Sequence, residues 1–85
     1  MARRKRITWT DRAKAELRAI DRETALHILH SLSHLIALGE GDVKRLQGRK
    51  PPQYRFRVGD YRLLFHDLDD GIQVVAVLHR REAYR

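Results

Sequence analysis

The chain has 85 residues, which is long enough for one hydrophobic core and too short for a second domain. Hydrophobic residues make up 42% of it, which argues against disorder, and the absence of cysteine excludes a disulfide framework and a thiolate metal site. Lysine and arginine number 18 against 11 acidic residues, and the net charge of +7 favours a polyanionic partner: RNA, DNA, the ribosome or an acidic protein.

The chain opens on a basic run at residues 3–6, but no apolar segment follows that run, so we expect no secretion signal. No apolar run approaches the length of a membrane span, so no membrane partner is expected. These features, with the lack of cysteine, predict a cytoplasmic protein that forms a single domain over residues 1–85.

A short strand is predicted over residues 6–9, where Ile7 and Trp9 share one face. This pairing favours a core position for Trp9 over the alternative, a ring that stacks on a nucleic-acid base. Thr10 or Asp11 can cap the helix that follows the strand.

A second helix is predicted over residues 23–38, with Asp21 as its N-cap and Gly39 just past its end. Residues 43–46 can form a short extended piece. The apolar residues of the helix fall on one side of a helical wheel: Ala25, Ile28, Leu29, Leu32, Leu35 and Ile36.

Three strands are predicted in the last third of the chain, over residues 53–58, 61–68 and 72–79. Gly59-Asp60 fits a two-residue type II′ loop, and Asp70-Gly71 suits a type I′ loop. The predicted fold is therefore α+β: a strand, a helical hairpin and a three-stranded antiparallel meander, which form a twisted antiparallel sheet of about four strands with the helices on one face.

The two loops predict the register of the meander, because loop length fixes which residues lie opposite each other. Side chains alternate between the two faces of a strand, so the register also assigns each residue to a face. The predicted core face carries Phe56, Leu63, Phe65, Ala76 and Leu78. The opposite face, called the open face below, is predicted to carry Arg55, Arg57, Arg62 and His79 beside Leu64, Val75 and Val77.

Arg57, Arg62 and His79 are thus predicted to form a row across three strands, with Arg55 one pleat away. Like charges that face each other across a sheet are destabilising, and phosphate is the obvious anion to offset them, since arginine binds it bidentately. The alternative is a basic face that docks on an acidic protein. Further basic or aromatic residues near this face are Lys44, Arg45, Arg49, Lys50, Arg80, Arg81 and Tyr84.

Three segments of the chain resemble the RelE/ParE toxin superfamily of bacterial and archaeal type II toxin–antitoxin systems. They are VKRLQG at residues 43–48, YRFRVGDYRLLF at residues 54–65 and VLHRREAYR at residues 77–85. The predicted order of strands and helices also fits this superfamily, so the resemblance covers nearly the whole chain.

The resemblance implies a RelE-like endoribonuclease that cuts messenger RNA in the ribosomal A site, beside 16S ribosomal RNA. In such toxins the RNA 2′-hydroxyl attacks the adjacent phosphate, without a metal or another cofactor, and a cognate RelB-like antitoxin blocks the toxin. The positive charge predicts that this antitoxin is acidic. The basic and aromatic site residues of the family match Arg55, Arg57, Arg62, Arg81 and Tyr84, with Arg80 beside Arg81.

Arg55 and Arg57 stand where well-known RelE toxins carry lysines. Arginine does not lose its proton in proteins, so neither residue is expected to act as a general base. We assign them to phosphate binding and to the charge of the transition state, and we expect Tyr84 or His79 to move the proton. By resemblance, Arg81 is best placed to stabilise the phosphorane or the leaving oxygen.

Two other functions fit the sequence. ParE-type toxins of the same superfamily inhibit DNA gyrase and are not ribonucleases. Their sequences have a similar C-terminal motif to the one at residues 79–82 of this chain, His-Arg-Arg-Glu. The second alternative is a nonenzymatic module that binds RNA or the ribosome through the same basic face.

His27, His30 and His34 share one face of the second helix, a spacing that could bind zinc. This face lies opposite the apolar stripe, and no Asp, Glu or Cys completes a ligand set nearby in the predicted structure. We therefore expect a solvated helix face and no metal.

Overall fold

The computed structural model describes residues 6–83, so the predicted site residue Tyr84 lies outside the described residues. The elements along the chain are β1 (Arg6–Trp9), α1 (Asp11–Arg18), α2 (Arg22–Leu38), β2 (Asp42–Leu46), β3 (Gln53–Val58), β4 (Tyr61–Leu68), β5 (Gly71–His79) and α3 (Arg80–Ala83). Among residues 6–83 there is no candidate for a membrane-spanning helix.

The described strands form one five-stranded mixed sheet in the order β1-β5-β4-β3-β2. Strands β2 to β5 are antiparallel neighbours, whereas β1 runs parallel to β5. The α+β architecture is as predicted, but a four-stranded antiparallel sheet was wrong on two counts. The 43–46 piece is a full edge strand that pairs with β3, and the crossover through α1 and α2 makes β1 parallel to its neighbour.

The ends of the two long helices are fixed by the residues that the sequence indicated. Thr10 Oγ1 accepts a hydrogen bond from the amide of Ala13 at 3.1 Å, which caps α1. Asp21 Oδ2 accepts from the amide of Thr24 at 3.0 Å, which caps α2. Gly39 ends α2 in the left-handed conformation, with φ of 70°.

The hydrophobic core lies between the helices and one face of the sheet. Ala13, Ile28 and Leu32 are fully buried, and they belong to one cluster with the sheet residues Phe56, Val58, Leu63, Phe65, Ile72, Val74 and Val77. The apolar residues of α2 do not all join this cluster, since Leu29 of the predicted stripe is 37% exposed. The helices therefore cover the face of the sheet that carries Leu63, and the arginines of β3 lie on the open face.

The pairing of β3 with β4 follows the predicted register throughout, with Val58 opposite Tyr61 and Arg57 opposite Arg62. Gly59 has a positive φ of 55°, as the first position of a type II′ loop requires. Among the described residues, only glycines have a positive φ, so Asp60 has the negative φ that the second position requires.

The pairing of β4 with β5 differs from the prediction. The loop consists of Asp69 and Asp70, since Leu68 pairs with Gly71, and the register shifts between Leu64 and Phe65. Such an irregularity leaves one extra residue on β5 and reverses the faces of the residues beyond it. Three predicted pairs are therefore wrong: Leu63 with Leu78, Phe65 with Ala76, and Arg62 with His79. In the structure Val77 joins the core, whereas Ala76 and Leu78 lie on the open face.

Gly71 explains why the Asp70-Gly71 turn signal misled the prediction. A Cβ atom at Gly71 would collide with the backbone of Arg6, which pairs with it in the parallel β1–β5 ladder. Because Gly71 has no side chain, β1 can approach β5 closely at this position. Gly71 is therefore part of the β1–β5 ladder and not of a type I′ loop.

Candidate functional site

The open face of the sheet carries two rows of side chains close to the β3–β4 loop. The first row runs across four strands as Asp42, Arg57, Arg62 and Leu78. The second row runs as Lys44, Arg55, Leu64 and Ala76. The predicted gathering of Arg55, Arg57 and Arg62 on one face is confirmed by this register, and Lys44 extends it to the edge strand.

Arg57 and Arg55 are the two arginines of β3 that this face offers to a ligand. Arg57 is exposed, whereas Arg55 is half-buried, and its Nε has no hydrogen-bond partner among residues 6–83. A guanidinium presents a planar fork of donors that matches the oxygens of a phosphate. Two such forks on alternate positions of one strand can contact one phosphate or two successive phosphates of a nucleic acid.

Arg62 is placed differently from its two neighbours, because only 2% of it is exposed. Its Nη1 donates to the backbone carbonyls of Gly59 at 3.0 Å and Tyr61 at 3.1 Å. These contacts turn the guanidinium back onto the β3–β4 loop. The predicted row of Arg57, Arg62 and His79 is therefore confirmed for Arg57 and Arg62 and wrong for His79, and the guanidinium of Arg62 is buried.

His79 lies on the core face, opposite Tyr61, because of the irregularity between β4 and β5. Its ring meets the Tyr61 ring edge-on, with centroids 5.3 Å apart. The amide of Arg81 donates to His79 Nδ1 at 3.3 Å, which leaves Nε2 to carry the proton of the neutral ring. The structure does not bring His79 together with the open-face arginines.

Arg80 and Arg81 belong to α3, which begins directly after β5 and contacts both β4 and β5. The amide of Arg80 donates to the carbonyl of Asp60 at 2.6 Å, and its guanidinium lies 3.9 Å from the Asp60 carboxylate. Arg81 is exposed. Helix α3 is thus tied to the same loop that Arg62 contacts, and Asp60 is a site component that the sequence signal did not assign.

Of the remaining basic candidates, only Lys44 joins the rows of the open face. Lys44 is exposed and lies beside Arg55. Arg45 pairs with Tyr54, so its side chain leaves β2 on the opposite face from Lys44. Lys50 is exposed in the loop before β3, where Arg49 donates to the side-chain oxygen of Gln53 at 3.1 Å.

The three histidines of α2 are exposed, as predicted, and they line an open cleft of about 430 Å³ with Glu40 and Asp42. His34 Nε2 lies 3.7 Å from a Glu40 carboxylate oxygen, a proximity that the sequence analysis missed because the α2–β2 connection folds back along the helix. Among residues 6–83, no three histidine or acidic side chains are arranged to hold a metal ion.

The family model for the ParE toxin of type II toxin–antitoxin systems, parDE, matches residues 7–84. The chain belongs to this toxin family. The match places the protein in the RelE/ParE superfamily, so the resemblance seen in the sequence is confirmed, and the protein is a toxin of a type II toxin–antitoxin system. No curated protein sequence matches the chain.

Solved structures of this superfamily share the fold of the toxin described here. A chain of the RelE–RelB complex of Pyrococcus horikoshii matches with a TM-score of 0.75 and 21% identity, over 91% of this chain and 96% of that chain. A chain of the YoeB dimer of Staphylococcus aureus matches with a TM-score of 0.69 and 20% identity, over 86% of this chain and 93% of that chain. A chain of the toxin–antitoxin complex RelBE2 of Mycobacterium tuberculosis matches with a TM-score of 0.67 and 25% identity, over 87% of this chain and 95% of that chain.

Proposed function

We propose that this toxin is an endoribonuclease that cuts messenger RNA in the ribosomal A site without a metal. The observation that carries the proposal is the pair Arg55 and Arg57, which lie on the uncovered face of the sheet beside Lys44. Arginines on alternate positions of β3, with a lysine beside one of them on β2, suit a polyanion whose phosphates repeat at regular intervals. The net charge of +7 supports the same class of partner.

In the proposed reaction the RNA 2′-oxygen attacks the adjacent phosphorus while the bond from phosphorus to the 5′-oxygen breaks. The products are a 2′,3′-cyclic phosphate and a 5′-hydroxyl, so the proton lost by the 2′-hydroxyl is balanced by one gained at the 5′-oxygen. Arg55 and Arg57 bind the phosphate and offset the charge that grows on it in the transition state. Arg81, exposed on α3, acts on the phosphorane or the leaving oxygen.

The proton transfer is assigned to Tyr84, since the structure turns His79 toward Tyr61 on the core face. A tyrosine hydroxyl acts as a general base only when nearby positive charge favours its ionised form. Arg80 and Arg81 precede Tyr84 closely in the sequence and are the candidates to supply that charge. No group in the proposed reaction needs to be a lysine, which fits the arginines at positions 55 and 57.

The partner proposed for the toxin is an acidic RelB-like antitoxin that covers it in the cytoplasm until the toxin is released onto ribosomes. Two of the similar structures are themselves RelE–RelB complexes. Charge complementarity with a basic toxin favours an acidic antitoxin segment that becomes ordered on binding. Complex formation at physiological salt tests this assignment directly.

Primer extension on a defined messenger RNA tests the nuclease, with and without programmed ribosomes, for the wild type and for Arg81→Ala and Tyr84→Phe. We expect the wild type to make A-site cuts. Both variants should lose these cuts while they still bind RNA. RNA that stays intact with the wild-type toxin on programmed ribosomes would overturn the proposal.

Gyrase inhibition is the second candidate, and the observation that favours it is the match to the ParE toxin model over residues 7–84. A supercoiling assay with purified gyrase separates the two functions. Inhibited supercoiling with intact messenger RNA supports the ParE-type activity. A protein that binds RNA and shows neither activity would be the nonenzymatic module, which loses affinity in small, salt-dependent steps on mutation.

A further inference from the structure

The β3–β4 loop, formed by Gly59 and Asp60, joins the two halves of the proposed site. Arg57 leaves β3 two residues before the loop, and Arg81 lies on α3, which is attached to the loop from the other side. The relative position of these two cations therefore depends on how rigidly the loop is held. A nuclease that holds one phosphate between two separate elements needs that position fixed to within a fraction of an ångström.

Arg62 holds the loop from the sheet side. Its buried Nη1 donates to Gly59 O and Tyr61 O, the two carbonyls that flank Asp60, at 3.0 and 3.1 Å. A charged donor that is 2% exposed and shared between two carbonyls makes a stronger contact than a solvent-exposed one. The same geometry keeps this guanidinium from presenting its Nη1 to a phosphate.

Helix α3 is attached to the loop through the residue between those carbonyls. The amide of Arg80 donates to Asp60 O at 2.6 Å, at the point where β5 ends and α3 begins. The Arg81 amide is attached to the same end of the sheet, because it donates to His79, whose ring packs on Tyr61. The exposed ion pair between Arg80 and Asp60 adds little, because solvent screens it.

We propose that Arg62 is a positioning residue: it fixes the β3–β4 loop, and through Asp60 it fixes α3 and so the place of Arg81 relative to Arg57. This inference rests on the proposed function for its catalytic consequence, but its structural consequence does not depend on any activity. It replaces the direct catalytic role that the sequence predicted for Arg62. The deciding difference is that Arg62 acts by donating to carbonyls, and not by bringing charge to the phosphate.

Amide hydrogen exchange of the purified chain tests the structural step. In Arg62→Gln and Arg62→Lys, the Arg80 amide is expected to exchange about tenfold faster than in the wild type, while the Val74 amide in the core keeps its rate. Arg57→Gln is the matched control, since it removes an arginine from the same row without touching the loop. Unchanged exchange at Arg80 in both Arg62 variants would overturn the inference.

A second variant perturbs the loop without touching Arg62. Gly59→Ala places a side chain at a φ of 55°, which is unfavourable for residues with a Cβ. It is expected to speed exchange at Arg80 in the same way, so the inference stays testable if the Arg62 variants fail to fold. Normal protection of Arg80 in Gly59→Ala would count against the loop as the anchor of α3.

Kinetics on programmed ribosomes test the catalytic step. Both Arg62 variants are expected to lower kcat about tenfold or more with little change in KM, whereas Arg57→Gln, which removes a direct phosphate contact, raises KM as well as lowering kcat. A direct role for the Arg62 charge would instead be rescued by lysine. If the wild type cleaves nothing, the proposed function fails, and the exchange result still decides whether Arg62 positions α3.

Discussion

The side chain of Glu16 on α1 accepts a hydrogen bond from the backbone amide of Val77 on β5 at 2.9 Å. This contact replaces a strand partner, because β1 pairs with β5 only as far as Val74. Thr10 bridges the gap, since its amide donates to Val74 O at 3.0 Å and its hydroxyl donates to Val75 O at 3.3 Å. The start of α1 thus continues the hydrogen bonding of β1 along the edge of β5.

Glu16→Ala is expected to destabilise the toxin by about 1–3 kcal/mol, because it leaves the Val77 amide without its acceptor in a part-buried position. Glu16→Gln keeps an acceptor and should lose less. Chemical denaturation monitored by Trp9 fluorescence measures both, with Glu23→Ala as a control on the exposed first turn of α2. An Ala variant as stable as the Gln variant would show that the contact contributes nothing.

The local chemistry of the chain made much of the fold predictable. The caps Thr10 and Asp21 act within their own first turns, and the Gly59 loop determines the β3–β4 pairs without reference to distant residues. The β4–β5 register was not predictable from the sequence, because Gly71 is required by the approach of β1. That approach is a contact between residues 65 positions apart, which no local pattern reports.

Gly71→Ala is expected to cost about 3 kcal/mol of folding stability, since the new methyl group would overlap the backbone of Arg6 in the parallel ladder. Thermal unfolding measures the loss. Gly48→Ala is the matched control: it also has a positive φ, of 72°, but nothing lies within 4 Å of the added atom. Its cost is limited to backbone strain of about 1–2 kcal/mol. Equal losses would refute a steric role for Gly71.

The candidate site was predictable where it depends on β3 and not where it depends on β5. Alternation placed Arg55 and Arg57 together on the open face, and the confirmed β3–β4 register added Arg62 to that face. The burial of Arg62 was not apparent, because a side chain that turns back onto carbonyls of its own loop leaves no trace in residue alternation. His79 changed faces with the irregularity in the β4–β5 ladder.

Asp21 makes part of the stability of α2 depend on pH. Hydrogen bonds from the backbone and then the side chain of Thr24 lower the pKa of this carboxyl below its ordinary value of 3.8. A lowered pKa in the folded state stabilises the protein above the unfolded pKa, and this contribution is lost as the pH falls through the folded pKa.

Asp21→Asn should therefore reduce the loss of stability below about pH 4, because asparagine caps the helix without titrating. Urea unfolding midpoints over a pH series measure the slope for the wild type and the variant. Asp69→Asn, in the β4–β5 loop, serves as the control for the loss of one carboxylate. An acid slope that Asp21→Asn leaves unchanged would exclude this residue as a source of the pH dependence.

Arg57→Ala should weaken RNA binding and lower the slope of log affinity against log salt by about one, because one phosphate contact and its released counterion are lost. Arg18→Ala makes the same change in net charge on exposed α1, at the opposite side of the molecule from the open face. Fluorescence anisotropy with a labelled single-stranded RNA, over a series of salt concentrations, compares the two variants. A general effect of net charge would shift both slopes alike. If RNA contacts the open face, Arg57→Ala alone should lower the slope. A lower slope in Arg18→Ala alone would show that RNA binds the helices instead.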